Sequence, residues 1–335
     1  MLVGGKEMRW TRRRTRRTHI GRMLAALVTL STILAICVAF AAPTASAHER
    51  EQPVIHTVLI MAHDDGVHFS FSMPKQVPAG LVEFVFENRG TQDHMAFAFR
   101  LKPGVSQALF IQRLTPVITS RDPKVVVTAL KALLRVASAA GGANSITPGS
   151  RQDVIERLNP GHYVLVCLDS TPNGTPHFLL GMARSFFVTD DARAKVERDD
   201  ALDDGAPRAN GTILERDHQI VMPSVIHIQH GAHRDGVTFK VKVRDQTHEL
   251  AILRVPDGTT KQELLNCLTG PPSACALKAP PVDAGGAAAI APGSTHWVEL
   301  HLAPGTYAAL CFVPDIMTGL PHAFMGMVTI FTVRP

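Results

Sequence analysis

Tyrosine is scarce in this chain, with only Tyr163 and Tyr307 among 335 residues. Cysteine is scarce too: there are five, and Cys37 falls inside an N-terminal apolar run. Basic residues are numerous overall but crowded at one end. Residues 1–47 hold eight of the 34 Lys and Arg and one of the 29 acids, leaving 26 basic and 28 acidic side chains, a net charge near −2. That remainder has no basic stripe, so nucleic-acid binding loses its electrostatic basis.

The crowded end reads as an export signal. An Arg-rich segment, RWTRRRTRRTHIGR, precedes an apolar run from Met23, and Ala45-Ser46-Ala47 supplies a small-residue cleavage site before His48. Residues 1–47 are therefore expected to be removed, giving a secreted or extracytoplasmic protein that is not held in a membrane. The apolar run is also about long enough to span a bilayer, so an N-terminal anchor is the alternative. Four cysteines remain after cleavage. Cys267 and Cys275 flank a Gly-Pro-Pro turn in NCLTGPPSAC and are expected to pair, as an oxidising compartment permits. Cys167 and Cys311 stay as thiols, which either metal ligation or deep burial would protect.

The chain repeats itself. Gly141 to Cys167 matches Gly285 to Cys311 without a gap, with about half the positions identical. The match continues as YVLVCLDSTPNGTPHFLLGM from Tyr163 and YAALCFVPDIMTGLPHAFMGM from Tyr307. Both copies run Tyr, three residues, Cys, a variable loop, then Gly-x-Pro-His-x-x-x-Gly-Met. Nine residues separate Cys167 from His177 and ten separate Cys311 from His322, while four lie between His and Met in both. The two tyrosines fall in register, and a buried ring with a bonded hydroxyl accounts for them without redox work.

Short runs rich in Val, Ile and Phe, punctuated by Gly and Pro, predict antiparallel β structure from Glu51 onward. Residues 105–139 break the pattern with apolar residues at helical spacing, a helical insertion. TTKQELLNCL predicts one helix at the equivalent place in the second copy. Residues 191–212 are charged and poor in aromatics, as in a linker. The expected organisation is a domain over 48–190, the linker, and a second domain over 213–335.

Thiolate, imidazole and thioether on one loop are soft or borderline ligands, and a second imidazole would complete a His₂Cys site with a weak axial Met. His94 and His248 follow strand-like runs at matching places. In these residues the chain resembles the cupredoxin family of plastocyanin, azurin and the copper nitrite reductases. The resemblance implies an all-β fold of two tandem Greek-key β-sandwich domains. It implies type 1 copper, up to two per chain, at His94, Cys167, His177 and Met182 and at His248, Cys311, His322 and Met327. Met95 and Glu249 follow the first His where the family usually has Asn. The function implied is one-electron transfer with a redox partner protein, His177 and His322 being the expected electron ports. A copper-handling or storage protein and a metal-free binding module are the alternatives.

Two further absences argue against a copper oxidase or nitrite reductase. In those enzymes a His directly precedes the blue-site Cys, and here Val166 and Leu310 stand there. The His-x-His pairs of the trinuclear oxidases are missing as well. His56, His63 and His68, and His227, His230 and His233, could hold a labile metal, but surface histidines are the simpler expectation. His162, His218, His296 and His301 are likewise expected at the surface.

Overall fold

The structure, a computed structural model, describes residues 54–190, 207–228 and 236–335. The expected signal, most of the expected linker, and His230 and His233 lie outside the described residues.

In the first half the chain forms β1 (Ile55–Asp64), β2 (Phe69–Ser72), β3 (Gln76–Pro78), β4 (Gly80–Asn88) and β5 (His94–Leu101). Helices α1 (Gln107–Thr119) and α2 (Pro123–Leu133) follow, then β6 (Ala137–Ile146), β7 (Arg151–Leu158), β8 (Gly161–Val166) and β9 (Ala183–Thr189). The second half forms β10 (Gly211–Arg216), β11 (Gln219–Val221), β12 (Val225–His227), β13 (Val237–Val243) and β14 (His248–Val255). It continues with α3 (Lys261–Thr269), β15 (Val282–Ile290), β16 (Thr295–Leu300), β17 (Gly305–Leu310) and β18 (Val328–Arg334).

The helices start where their caps dictate. The Ser106 hydroxyl accepts from the Leu109 amide, and the Asp122 carboxylate accepts from that of Lys124 ahead of Pro123. Helix α1 runs further than its apolar spacing suggests and carries Pro116 inside it. In the second half, Thr260 and Glu263 form a reciprocal capping box on α3.

Both sheets run through both halves. One has the strand order β11-β10-β13-β16-β7-β4-β1-β2, the other β12-β18-β17-β14-β15-β6-β5-β8-β9-β3. The halves join edge to edge, β7 pairing with β16 and β6 with β15, so sandwich passes into sandwich without an edge between them. The expected purely antiparallel pairing is corrected here. β1–β4, β3–β9, β10–β13 and β12–β18 are parallel, because the chain crosses to the opposite sheet before returning beside an earlier strand.

Repeated glycines have a steric cause. Gly142 and Gly286 have φ of 114° and 112°, and a Cβ on either would meet the carbonyl oxygen of Ala96 or Leu250 at 2.0 or 1.9 Å. The strands that begin at His94 and His248 are thus approached too closely for any side chain. Polar side chains bridge the seam nearby. Glu156 accepts from the Gly142 amide at 2.9 Å and lies 3.1 Å from His296 Nδ1, while Gln152 accepts from the Gly286 amide at 2.9 Å. His296 is therefore fully buried rather than at the surface, its ring spent on a carboxylate of the other half. Tyr163 and Tyr307 are buried, and their hydroxyls donate to the carbonyls of Asn159 and Ala303 at 2.7 and 2.8 Å, a packing role.

Candidate metal centres

Four elements converge on each centre. The first His opens a strand (β5 or β14), and the Cys follows the last residue of β8 or β17. The second His starts a one-turn 3₁₀ helix, His177–Leu180 or His322–Met325, and the Met sits just past it. Backbone hydrogen bonds clamp the loop identically in both copies. The Met182 amide donates to the His177 carbonyl and that of Met327 to His322, each at 3.0 Å. The amides of Phe178 and Ala323, the residues after the second His, donate back to the carbonyls of Cys167 and Cys311 at 3.1 and 2.7 Å.

The donors meet as follows. Cys167 Sγ lies 3.6 Å from His94 Nδ1 and 3.5 Å from His177 Nδ1, and the two Nδ1 atoms are 3.1 Å apart. In the second centre Cys311 Sγ is 3.7 Å from His248 Nδ1 and 3.4 Å from His322 Nδ1, which are again 3.1 Å apart. These edges suit nitrogen and sulfur ligands about 2.0–2.3 Å from a shared centre. All six residues, and Met182 and Met327, are fully buried.

The electrostatics suit a metal. Burial, and then the neighbouring imidazole, push His177 and His322 down to about 4, so both rings are neutral with free lone pairs at neutral pH. Burial, joined by nearby carboxylates, raises both thiols well above their ordinary value. A metal ion would reverse that by binding the thiolate. The Met95 amide donates to Cys167 Sγ at 3.4 Å. In the second centre Glu249 accepts from the Phe312 amide at 2.9 Å, tying the strand of His248 to the residue after Cys311.

A carboxylate backs the first histidine. His94 Nε2 lies 2.8 Å from Asp64 Oδ2, with both side chains inaccessible. Burial opposes ionisation of Asp64. Donors from the Thr91 hydroxyl, His94 and the amides of Thr91 and Gln92 outweigh it and hold the carboxyl well below the usual range. In the second centre Asp217 is 3.4 Å from His248 Nε2 and partly exposed, and Asp315 is 4.0 Å from His322 Nε2. The Asp64 hydrogen bond fixes the tautomer that leaves His94 Nδ1 for the metal, whereas the carboxylates of the second centre make no such bond to His248 or His322 Nε2. All three carboxylates were missed in the sequence, although Asp64 stands in the turn His63-Asp-Asp-Gly66.

His177 and His322 are fully buried, and the Phe69 ring stacks on His177 with centroids 4.4 Å apart. One expectation is corrected: His218 is half-buried rather than at the surface, and meets His322 edge-on at 6.1 Å between centroids. Among the described residues, His56, His63, His68 and His227 join no cluster of donors, whereas Asp153, Glu299 and His301 do. There Arg151 already donates to Asp153 at 2.9 Å. Cys267 and Cys275 form the expected disulfide, and Cys167 and Cys311 are free.

Each half has a cupredoxin-like fold. No family model matches the sequence. No curated protein matches it either. Among solved structures the chain is similar to auracyanin A, a "blue" copper protein from Chloroflexus aurantiacus, at 17% identity and a TM-score of 0.27, over 40% of this chain and 99% of that one. It is similar to a multicopper oxidase at 16% identity and a TM-score of 0.24, covering 84% and 89%. A copper-containing nitrite reductase from Thermus scotoductus matches at 12% and 0.22, covering 85% and 69%.

Proposed function

We propose that this chain binds copper at two type 1 sites and transfers single electrons outside the cytoplasm. The observation that carries the reading is the repeated convergence of two Nδ1 atoms and one Sγ within 3.7 Å, fully buried in both halves. Copper held by these residues would supply a one-electron couple, and the buried thioether of Met182 or Met327 would be a further, weak ligand that tunes its potential.

The chain's own residues supply the rest. The clamped loops hold the donors in place, so little rearrangement accompanies a change of charge. Phe69, Gln92 and Asp64 close the first centre, with Gln92 Oε1 3.3 Å from His177 Nε2. Fully buried donors favour electron transfer over a copper-handling role, which needs the ion to leave. The Cys267–Cys275 disulfide supports an oxidising compartment, and export by residues 1–47 would put the chain there. Val166 and Leu310, both fully buried strand residues, provide no ligand that would wire a second copper to either Cys. The redox partner would be a protein that docks over one of the covered histidines. Copper stoichiometry with a visible spectrum tests the reading: two coppers per chain and an intense thiolate-to-copper band support it, and a colourless copper-treated protein ends it.

A further inference from the structure

Between the halves lies a cavity of about 730 Å³, on the face of the ten-stranded sheet that α1 and α2 cover. It falls within the size range of small-molecule sites. Its first wall is apolar and comes from the first half: Phe97 and Phe99 of β5, Leu114 and Val117 of α1, and Leu130 and Leu133 of α2. The second half closes it with Phe312, Val313 and Ile316, from the loop between Cys311 and His322. That loop is seated on the helices, for a Cβ on Gly319 would meet the Pro123 carbonyl oxygen at 2.3 Å.

The charged part of the wall has one sign: Asp169, Asp245, Glu249 and Asp283 face the cavity, and among the described residues no Lys, Arg or His lines it. Three of the four have a donor in the protein: Asp169 accepts from the Ser145 hydroxyl at 2.9 Å, Glu249 accepts from Asn144 and Phe312, and Asp283 also accepts from the Ser145 side chain. Burial, and then the charge of Asp93, push Asp283 up to about 6. Asp245 is exposed, at the rim.

We propose that this cavity binds an amphiphilic organic cation, its apolar body against the Phe97–Phe99 and helix wall and its positive head beside Asp283. Charge complementarity selects the class. An anion would meet acidic side chains with no described basic residue in the lining to offset them, and a neutral molecule would leave Asp283 uncompensated. The site stands independently of the metal reading, although Met95, Leu168, Glu249 and Phe312, each following a donor residue, all line it.

The test uses three probes of one shape: (4-phenylbutyl)trimethylammonium, 4-phenylbutanol and 4-phenylbutyrate. The quaternary head cannot ligate a metal, so its binding reports on the cavity alone. Isothermal titration calorimetry on the purified protein should show saturable binding of the ammonium, at least ~10-fold tighter than the alcohol, and none of the carboxylate. Asp283→Asn should weaken the ammonium ~10-fold and leave the alcohol unchanged. Ala139→Leu, which fills the cavity, should weaken both. Should Asp283→Asn not fold, Asp245→Asn serves, with a smaller loss for the ammonium alone. Equal affinity for the three probes, no saturable ammonium binding, or ammonium affinity unchanged in the Asp variant that folds overturns the proposal.

Discussion

His94 Nε2 and Asp64 Oδ2 are 2.8 Å apart in a place solvent does not reach, while the equivalent His248 Nε2 is 3.4 Å from a partly exposed Asp217. The two centres therefore differ in the group behind the first imidazole. Asp64→Asn should weaken metal binding at the first centre by ~10–100-fold, and Asp217→Asn should cost the second less. Competition with a chelator, followed separately for each centre in a Cys311→Ser or Cys167→Ser background, measures both.

Glu215 is fully buried, and neither of its carboxyl oxygens has a hydrogen-bond partner. Burial, with the nearby Glu249 adding to it, raises it to about 8 from an ordinary 4.5. Its folded-state pKa lies above the unfolded one, so its contribution to stability is whole below about 4.5 and is lost progressively as pH rises to about 8. Glu215→Gln, which mimics the protonated form, should flatten that decline. Urea denaturation at pH 5 and pH 9 on both proteins checks it: wild type should lose more than the variant, and equal losses would refute the assignment.

At the acid end the histidines take over. His177 and His322 are pushed down to about 4 from 6.5, so the unfolded chain takes up their protons first. Stability of the metal-free protein is retained above about 6.5 and lost as pH falls toward about 4. His177→Gln should remove part of that slope, as thermal unfolding scanned from pH 7 to pH 4 would reveal.

Much of this was legible in the sequence, for a local reason. The Cys-to-Met loop carries a thiol and an imidazole in one short segment, and its duplication at matched spacing made Cys167, His177, Cys311 and His322 readable. His94 and His248 could be paired with them only by analogy of position. What stayed hidden depends on the sheets. Nothing local marks His296 as buried against Glu156, since that contact exists because β16 and β7 pair across the halves. The burial of His177 was hidden likewise, because the ring that covers it, Phe69, comes from a strand far away in sequence. Parallel pairing of β1 with β4 needed a crossover that apolar periodicity does not encode.

The duplicated Gly-Gly-Ala offers a backbone test. Gly142→Ala and Gly286→Ala would each press a Cβ on a carbonyl oxygen at a φ that side chains avoid, so each should destabilise the protein by more than ~1 kcal/mol. The adjacent Gly141 and Gly285 have φ of 84° and 92°, but a Cβ there would meet the side chains of Glu156 and Gln152 rather than backbone. The first pair should therefore lower the thermal midpoint more than the second.

The copper count decides the central question. Purified protein loaded with Cu(II) and freed of excess metal should hold two coppers per chain, with an intense visible band that bleaches on reduction. Cys167→Ser and Cys311→Ser should each remove one copper and about half the band, and the double variant should be colourless. Full copper content in the double variant, or a wild type that folds but takes up none, would contradict the account.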